Sequence, residues 1–187
     1  ENNVLKRVFD AAKKYKARNV VRVTADCPLI DPILVDDLVI KFLKGKFDYV
    51  NNAKSPDYSD GFDTEVFSFR SLREAYKNAN TQVEKEHVTP YLKNNPRLKI
   101  GRFKQTENFG SKLSIDRYND YKHVSKIFNY FKPSIHFSIK SVFKANLHKR
   151  LKDIINLKEI SLKNKTFNGQ NLWSKAKHII PGGSMLL

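Results

Sequence analysis

The sequence has very little cysteine and no long apolar run. Its single cysteine, Cys27, excludes an internal disulfide. No segment is apolar over the roughly 20 residues that span a bilayer, and no signal-peptide pattern occurs, so we expect a soluble cytoplasmic protein without a membrane segment. The first residue is Glu1 rather than Met, and we therefore expect the sequence to be part of a longer protein.

Acidic residues are scarce in the C-terminal third. Residues 121–187 hold 13 of the 35 Lys and Arg residues but only two of the 19 Asp and Glu residues, so +11 of the formal net charge of +16 lies there. A basic RNA-associated module is therefore one alternative. The segment contains only one arginine, Arg150, and no nucleic-acid-binding motif, so we favour lysines on solvated helix faces and do not expect nucleic acid as a partner.

The stretch around Asp26 has the pattern of a strand that ends in a polar turn. Residues 20–23 form a β-branched run, and Asp31 with Pro32 suits the N-cap and first residue of a helix. Ligands of open α/β sheets bind at the carboxyl ends of strands. Asp31 has a structural explanation as a cap, whereas Asp26 has none and is a candidate functional residue.

The first 52 residues predict an α/β arrangement. Apolar stripes predict one helix from Val4 to about Tyr15 and another from Leu34 to about Gly45. Strands are predicted at residues 20–23 and 47–52. Short connections between these elements favour a parallel sheet covered by helices.

Two acids follow the polar, turn-rich segment 53–61. Asp63 and Glu65 alternate with a threonine and a valine, which predicts a strand with both acids on one face. Either this face is simply exposed and polar, or the acids contact a substrate. The second alternative arises because two like charges on one face repel unless a cationic or hydroxyl-rich group lies between them.

His87 lies in a helix predicted from residue 84 onward. No second histidine and no cysteine cluster stands at ligand spacing, so a zinc site is excluded. The imidazole is then either a partly buried group that is satisfied by a carboxylate or a general base.

Asp116 repeats the arrangement found at Asp26. It follows a strand predicted over residues 112–115 and precedes a predicted helix. Either Asp116 has a functional role like that of Asp26, or it only caps the following helix, which Asp120 could also do.

Residues 22–32, RVTADCPLIDP, closely resemble the signature of the cytidylyltransferases related to spore-coat polysaccharide biosynthesis proteins, relatives of the enzymes that make CMP-activated sialic acid and Kdo. Residues 60–67, 86–91 and 113–121 are similar to later motifs of that family in order and spacing. The resemblance implies an α/β nucleotidyltransferase fold related to glycosyltransferase-A domains, with a mixed, mostly parallel sheet and helices on both faces. It also implies an enzyme that uses CTP and a divalent cation, usually Mg²⁺, to activate a sugar or sugar acid for surface polysaccharide biosynthesis.

The same resemblance assigns roles to individual residues. Asp26 and Asp116 match the catalytic, metal-binding aspartates, and Ala25 and Asp26 lie beside the nucleotide. Three residues are expected near the acceptor sugar: Asp63, Glu65 and His87. The family's Gly-rich basic loop that grips the triphosphate has no counterpart in the sequence, so the domain is expected to be incomplete at its N-terminus. We expect Asp26 and Asp116 to converge on one shared cation.

The C-terminal end resembles a second family. Residues 172–176 and 180–183 are similar to the opening helix of glutamate-1-semialdehyde aminomutases and other class III aminotransferases, which use pyridoxal phosphate. The implied organisation is a cytidylyltransferase-like domain in residues 1–155, a linker in 156–169 and the first helix of an aminotransferase-like domain in 170–187. Pyridoxal phosphate would bind only in the missing part of that domain.

Other descriptions stay open at this point. The longer protein is alternatively a pyridoxal-phosphate aminotransferase or aminomutase, and the present domain is alternatively a non-catalytic module that keeps the fold. Whether the protein forms a homodimer also stays open.

Overall fold

The computed structural model describes residues 3–52, 60–103, 112–145 and 147. These ranges contain seven helices and four strands, in the order α1 (Val4–Lys14), β1 (Asn19–Val23), α2 (Pro32–Gly45), β2 (Tyr49–Asn51), β3 (Thr64–Ser68), α3 (Phe69–Asn78), α4 (Gln82–His87), α5 (Pro90–Asn94), β4 (Ile100–Arg102), α6 (Tyr118–Phe131) and α7 (Ile139–Lys144). The helix, strand, helix and strand predicted for the first 52 residues are confirmed.

The four strands form one mixed sheet in the order β1-β3-β2-β4. β3 is antiparallel to both β1 and β2, while β2 and β4 are parallel. Three strands therefore run in one direction and β3 in the other, as the predicted mixed, mostly parallel sheet requires. β1 and β2 share a direction but are not neighbours, because β3 lies between them.

Different helices cover the two faces of the sheet. Successive residues of a strand point to opposite faces, so Val50 and Val66 belong to one apolar cluster and Tyr49 and Phe67 to the other. The first cluster is completed by α2, α6 and α7, and the second by α1, α3 and α5. The predicted α/β fold with helices on both faces is confirmed.

Asp31 caps two helices at once. Its Oδ1 atom accepts a hydrogen bond from the backbone N–H of Ile33 at 2.9 Å, and Pro32 occupies the first turn of α2, as predicted. Its Oδ2 atom accepts from the backbone N–H of Ile139 at 3.2 Å, at the start of α7. The second bond joins two helices that are more than 100 residues apart in sequence, and it was not predicted.

The strand predicted over residues 112–115 is wrong. The backbone N–H of Leu113 donates to the carbonyl of Asp60, and that of Ile115 donates to the carbonyl of Asp26, both at 2.8 Å. The segment is therefore extended but bonded to two turns instead of to a neighbouring strand. Its alternating apolar side chains produce a strand-like pattern because Leu113 and Ile115 pack against the first apolar cluster.

Several predictions concern residues outside the described ranges. The domain boundary at 155, the linker 156–169, the aminotransferase-like helix in 170–187 and the larger part of the basic C-terminal charge all lie there. Within the described ranges, no helix has the length and apolarity needed to cross a lipid bilayer.

Candidate active site

The turn that follows β1 carries Asp26 near its tip. The backbone N–H of Cys27 donates to the carbonyl of Thr24 at 3.1 Å, which leaves Ala25 and Asp26 at the centre of the turn. Ala25 is exposed and Asp26 is half-buried. Cys27 is buried below them, its Sγ atom 3.3 Å from the Thr24 hydroxyl and 3.9 Å from Asp26 Oδ1. Burial raises the pKa of the Cys27 thiol to about 12, so Cys27 is a neutral packing group there.

Asp63 is positioned by a buried amide. Asn52 donates from its side chain to the carbonyl of Phe62 and accepts from the backbone N–H of Thr64, both at 2.7 Å. The residues on either side of Asp63 are thus fixed to the end of β2. The backbone N–H of Asp63 also bonds to the thiol of Cys27, which joins the start of β3 to the Asp26 turn.

Four carboxylates lie close enough together to influence one another. Partial burial raises the pKa of Asp63, and the negative charges of Asp60, Glu65 and Asp26 raise it further, while the charge of Lys93 opposes them. The structure therefore brings Asp26, Asp63 and Glu65 to one region at the carboxyl end of β1. Their combined negative charge is the kind of field that a bound cation would neutralise.

Gly61 allows the segment before Asp116 to approach this region. Its φ of +110° favours glycine, and a Cβ atom there would lie 2.5 Å from the backbone carbon of Leu113. The Ser114 hydroxyl donates to Asp60 Oδ2 at 2.8 Å. The backbone N–H of Ile115 is bonded to the carbonyl of Asp26. Asp116 is the next residue, so the chain carries it past the Asp26 turn.

Asp116 does not cap α6. That role belongs to Asp120, whose Oδ2 atom accepts from the backbone N–H of Asp116 at 3.1 Å and of Arg117 at 2.8 Å. The side chain of Asp116 is 51% exposed and forms an ion pair with Lys112 at 2.5 Å. The alternative in which Asp116 serves only as the helix cap is therefore wrong.

Glu65 is the centre of a buried network. Its Oε1 atom accepts from the hydroxyls of Tyr49 and Thr89, both at 2.7 Å, and pairs with Lys93 Nζ at 2.8 Å. Its Oε2 atom pairs with Arg22 Nη1 at 2.5 Å across the β1–β3 ladder. Burial alone would raise the pKa of Glu65, but the two cations and the hydrogen bonds outweigh it and lower the pKa, so the carboxylate is ionised at neutral pH.

The Glu65 network excludes one of the two explanations offered for the paired acids, the exposed polar face. Glu65 is 3% exposed, so β3 does not simply carry an exposed polar face. The cationic and hydroxyl groups that the repulsion argument requires are supplied by the protein itself. The alternation of residues in the sequence identified the acids, but none of their partners.

His87 differs from its predicted environment. It ends α4 and is exposed, so the expectation of a partly buried, carboxylate-bound imidazole is wrong. The helix predicted across residues 84–92 is interrupted at Val88, whose φ is +70°, before Pro90 begins α5. Proline cannot donate the backbone hydrogen bond that a continuous helix would need there.

Four residues of the site were missed from the sequence: Arg22, Tyr49, Thr89 and Lys93. Thr89 and Lys93 are one helical turn apart, and Arg22 lies inside the motif that precedes Asp26, but such signals occur in many packing elements. No cluster of three or more His, Cys, Asp or Glu side chains suited to a metal ion is found in the described ranges. Mg²⁺ usually takes only one or two protein carboxylates, so a pair of aspartates is a donor set that fits it.

Known proteins resemble this chain in sequence and in structure. It is 39% identical over 126 residues to an uncharacterized protein of Methanocaldococcus jannaschii, covering 65% of the chain and 51% of that protein. It is 28% identical over 133 residues to the spore coat polysaccharide biosynthesis protein SpsF of Bacillus subtilis, covering 68% of the chain and 54% of that protein. The chain thus spans about half the length of these curated relatives.

A solved structure extends the likeness to the fold. The structure of a cytidylyltransferase from Leptospira borgpetersenii superimposes with a TM-score of 0.76 at 29% identity, covering 86% of this chain and 68% of the other. The family model described as cytidylyltransferase matches residues 1–166. Since that match takes in all the described residues, including the Asp26 turn and the Glu65 network, the chain belongs to the cytidylyltransferase family.

Proposed function

We propose that this protein is a nucleotidyltransferase that transfers a CMP group from CTP to a sugar or sugar acid. The observation that carries the proposal is the backbone bond between Ile115 and Asp26. It brings the segment that leads to Asp116 against the Asp26 turn, at the carboxyl end of β1. Asp63, which directly precedes β3, lies in the same region. Membership of the cytidylyltransferase family supports CTP as the nucleotide.

In this proposal Asp26 and Asp116 hold a divalent cation. The fit rests on two accessible carboxylates on segments that the Ile115–Asp26 backbone bond joins, Asp26 being half-buried and the side chain of Asp116 51% exposed. When bound, Mg²⁺ would neutralise the charge of the CTP phosphates. Ala25, exposed at the centre of the turn, leaves room for the nucleotide beside it.

The second substrate is proposed to bind beside Asp63. In nucleotidyl transfer a sugar hydroxyl attacks the α-phosphorus and pyrophosphate leaves, so the protein must mainly orient the two reactants. Asp63 is held rigidly on both sides by Asn52 and is suited to accept a hydrogen bond from a sugar hydroxyl. His87, exposed at the end of α4, is proposed to contact the same sugar.

The test is release of pyrophosphate from CTP in the presence of Mg²⁺ and a panel of sugars and sugar acids. It is made on this chain and on any longer natural protein that contains it, because the matched stretch is only about half of each relative's length. Asp26→Asn should lower the rate by about 100-fold or more, the usual effect of losing a group that stabilises the transition state electrostatically. Asp36→Asn, which alters an exposed aspartate of α2, is the matched control.

Two results would contradict the proposal. One is pyrophosphate release that is equal with CTP, UTP and ATP, and the other is full activity in Asp26→Asn. A role in surface polysaccharide biosynthesis is supported by the likeness to SpsF. That role and the aminotransferase-like continuation remain predictions.

A further inference from the structure

The carboxylate of Glu65 has no capacity left for a substrate. Its two oxygens already interact with four side chains: Tyr49, Thr89, Lys93 and Arg22. Oε1 has three of these partners and Oε2 has one, so the protein supplies about as many partners as an ionised carboxylate has lone-pair sites. The residue is 3% exposed. Glu65 therefore acts through its partners and does not contact a ligand.

The two cations of the network remain accessible to solvent. The side chains of Arg22 and Lys93 are 21% and 34% exposed, against 4% for that of Glu65. A guanidinium has five N–H donors and an ammonium has three, and each cation makes one contact with Glu65, through Arg22 Nη1 and Lys93 Nζ. Within the part of the chain that the structure describes, neither cation makes another hydrogen bond to the protein. Donors are thus left over on both side chains.

The Glu65 network taken by itself has two cations for one carboxylate. Lys93 also lies near Asp63, where its positive charge opposes the rise in pKa that burial and the neighbouring carboxylates cause. Lys93 consequently lies between the Glu65 network and the region of Asp26 and Asp63. Both cations bind the same carboxylate, Arg22 at Oε2 and Lys93 at Oε1, so two partly exposed cationic groups lie around one buried anion. Planar guanidinium groups bind carboxylate and phosphate oxygens in this way.

We propose that Arg22 and Lys93 form a binding site for an anionic group of a reactant, a carboxylate or a phosphate. Glu65 is then the positioning residue that fixes both cations. The assignment of the anion to one of the reactants rests on the proposed function. The existence of the anion site does not, because it follows from the Glu65 network alone.

The experiment uses inorganic phosphate, D-glucuronate and neutral D-glucose as probes on the unaltered protein. Acetylation of each lysine is measured by mass spectrometry with and without the probe. Phosphate or glucuronate should slow acetylation of Lys93 and leave that of Lys77 unchanged, since Lys77 is exposed on α3. Glucose should protect neither Lys93 nor Lys77 from acetylation. This measurement needs no substitution, so it is independent of any effect on folding.

A second measurement uses calorimetric titration of two matched variants. Lys93→Met should weaken binding of the protecting anion by about tenfold or more, because a charge-assisted hydrogen bond is lost. Lys77→Met removes the same charge elsewhere and should bind as the unaltered protein does. Loss of glucuronate binding alone identifies a carboxylate site, and loss of phosphate and CTP binding identifies a phosphate site.

The outcome separates this inference from the proposed function. If neither anion protects Lys93, or if Lys93→Met and Lys77→Met bind the anions equally, the inference is overturned. If CTP with Mg²⁺ does not bind the unaltered protein while glucuronate binding depends on Lys93, the proposed function fails and the anion site stands. If CTP is turned over but no anion depends on Lys93, the proposed function stands and the anion site fails.

Discussion

Replacement of Glu65 by alanine tests whether its network stabilises the fold. Tyr49 and Thr89 are 0% and 1% exposed, so bulk water does not reach their hydroxyls to replace the lost acceptor. A buried polar group that is left unsatisfied costs about 1–3 kcal/mol. Arg22 and Lys93 are partly exposed and recover hydration, which makes their contribution smaller. We expect Glu65→Ala to lower the free energy of unfolding by about 3–5 kcal/mol, the range found when one partner of a buried ion pair is removed.

The assay is urea denaturation followed by circular dichroism at pH 7. Glu86→Ala, at an exposed position of α4, is the matched control and should change the free energy of unfolding by no more than about 0.5 kcal/mol. Glu65→Gln should fall between the two, because its amide oxygen still accepts hydrogen bonds but carries no charge. A loss below about 1 kcal/mol in Glu65→Ala would refute the network as a stabilising element.

The stabilisation that Glu65 provides should depend on pH. The pKa of Glu65 is lowered in the folded protein from its ordinary value of 4.5. A lowered carboxyl pKa contributes stability that is fully present above the unfolded-state pKa and is lost as the pH falls through the folded-state pKa. The difference in stability between the unaltered protein and Glu65→Ala should therefore shrink as the pH falls below 4.5. A difference that stays constant down to acid denaturation would contradict the assigned charge.

Three further predictions concern the acids and the glycine around the Asp26 turn. Because the pKa of Asp63 is raised, its ionised form opposes folding, so Asp63→Asn should raise the melting temperature at pH 7 and the gain should vanish as the pH falls through that raised pKa; a lower melting temperature at pH 7 would contradict this. Gly61→Ala should lower the free energy of unfolding by about 2 kcal/mol or more in urea denaturation, because φ is positive there and the added Cβ would overlap the backbone of Leu113. An unchanged urea midpoint would refute the close approach of these two segments. Asp120→Ala should lower the free energy of unfolding by about 1 kcal/mol, because the cap of α6 is lost. Asp116→Asn should hardly change stability but should lower pyrophosphate release. A larger loss of stability in Asp116→Asn than in Asp120→Ala would identify Asp116 as the cap.

Local patterns in the sequence were sufficient for the first 52 residues. The stripe from Val4 onward predicted α1, and the β-branched run predicted β1. Asp31 with Pro32 predicted the start of α2, because N-capping and the fixed φ of proline act within one helical turn. The acids at positions 26 and 63 were also identified from the sequence, from their position next to predicted strands.

Interactions between distant residues were not accessible in that way. The insertion of β3 between β1 and β2 depends on which strand edges pair, and periodicity contains no information on pairing order. The segment 112–115 has the alternation of a strand, yet its backbone bonds to turns at Asp26 and Asp60. The alternation reported only which side chains are buried.

The acidic residues and the Asp26 motif are properties of the sequence, and they were sufficient to indicate a cytidylyltransferase. The environment of each acid was decided by the tertiary structure. Glu65 is ionised and inaccessible because Arg22, Tyr49 and Thr89 reach it from separate elements, while Asp116 is exposed because Asp120 takes the capping role. A carboxylate's pKa and availability depend on charges and burial within a few ångströms in space, and only the folded chain brings those groups together.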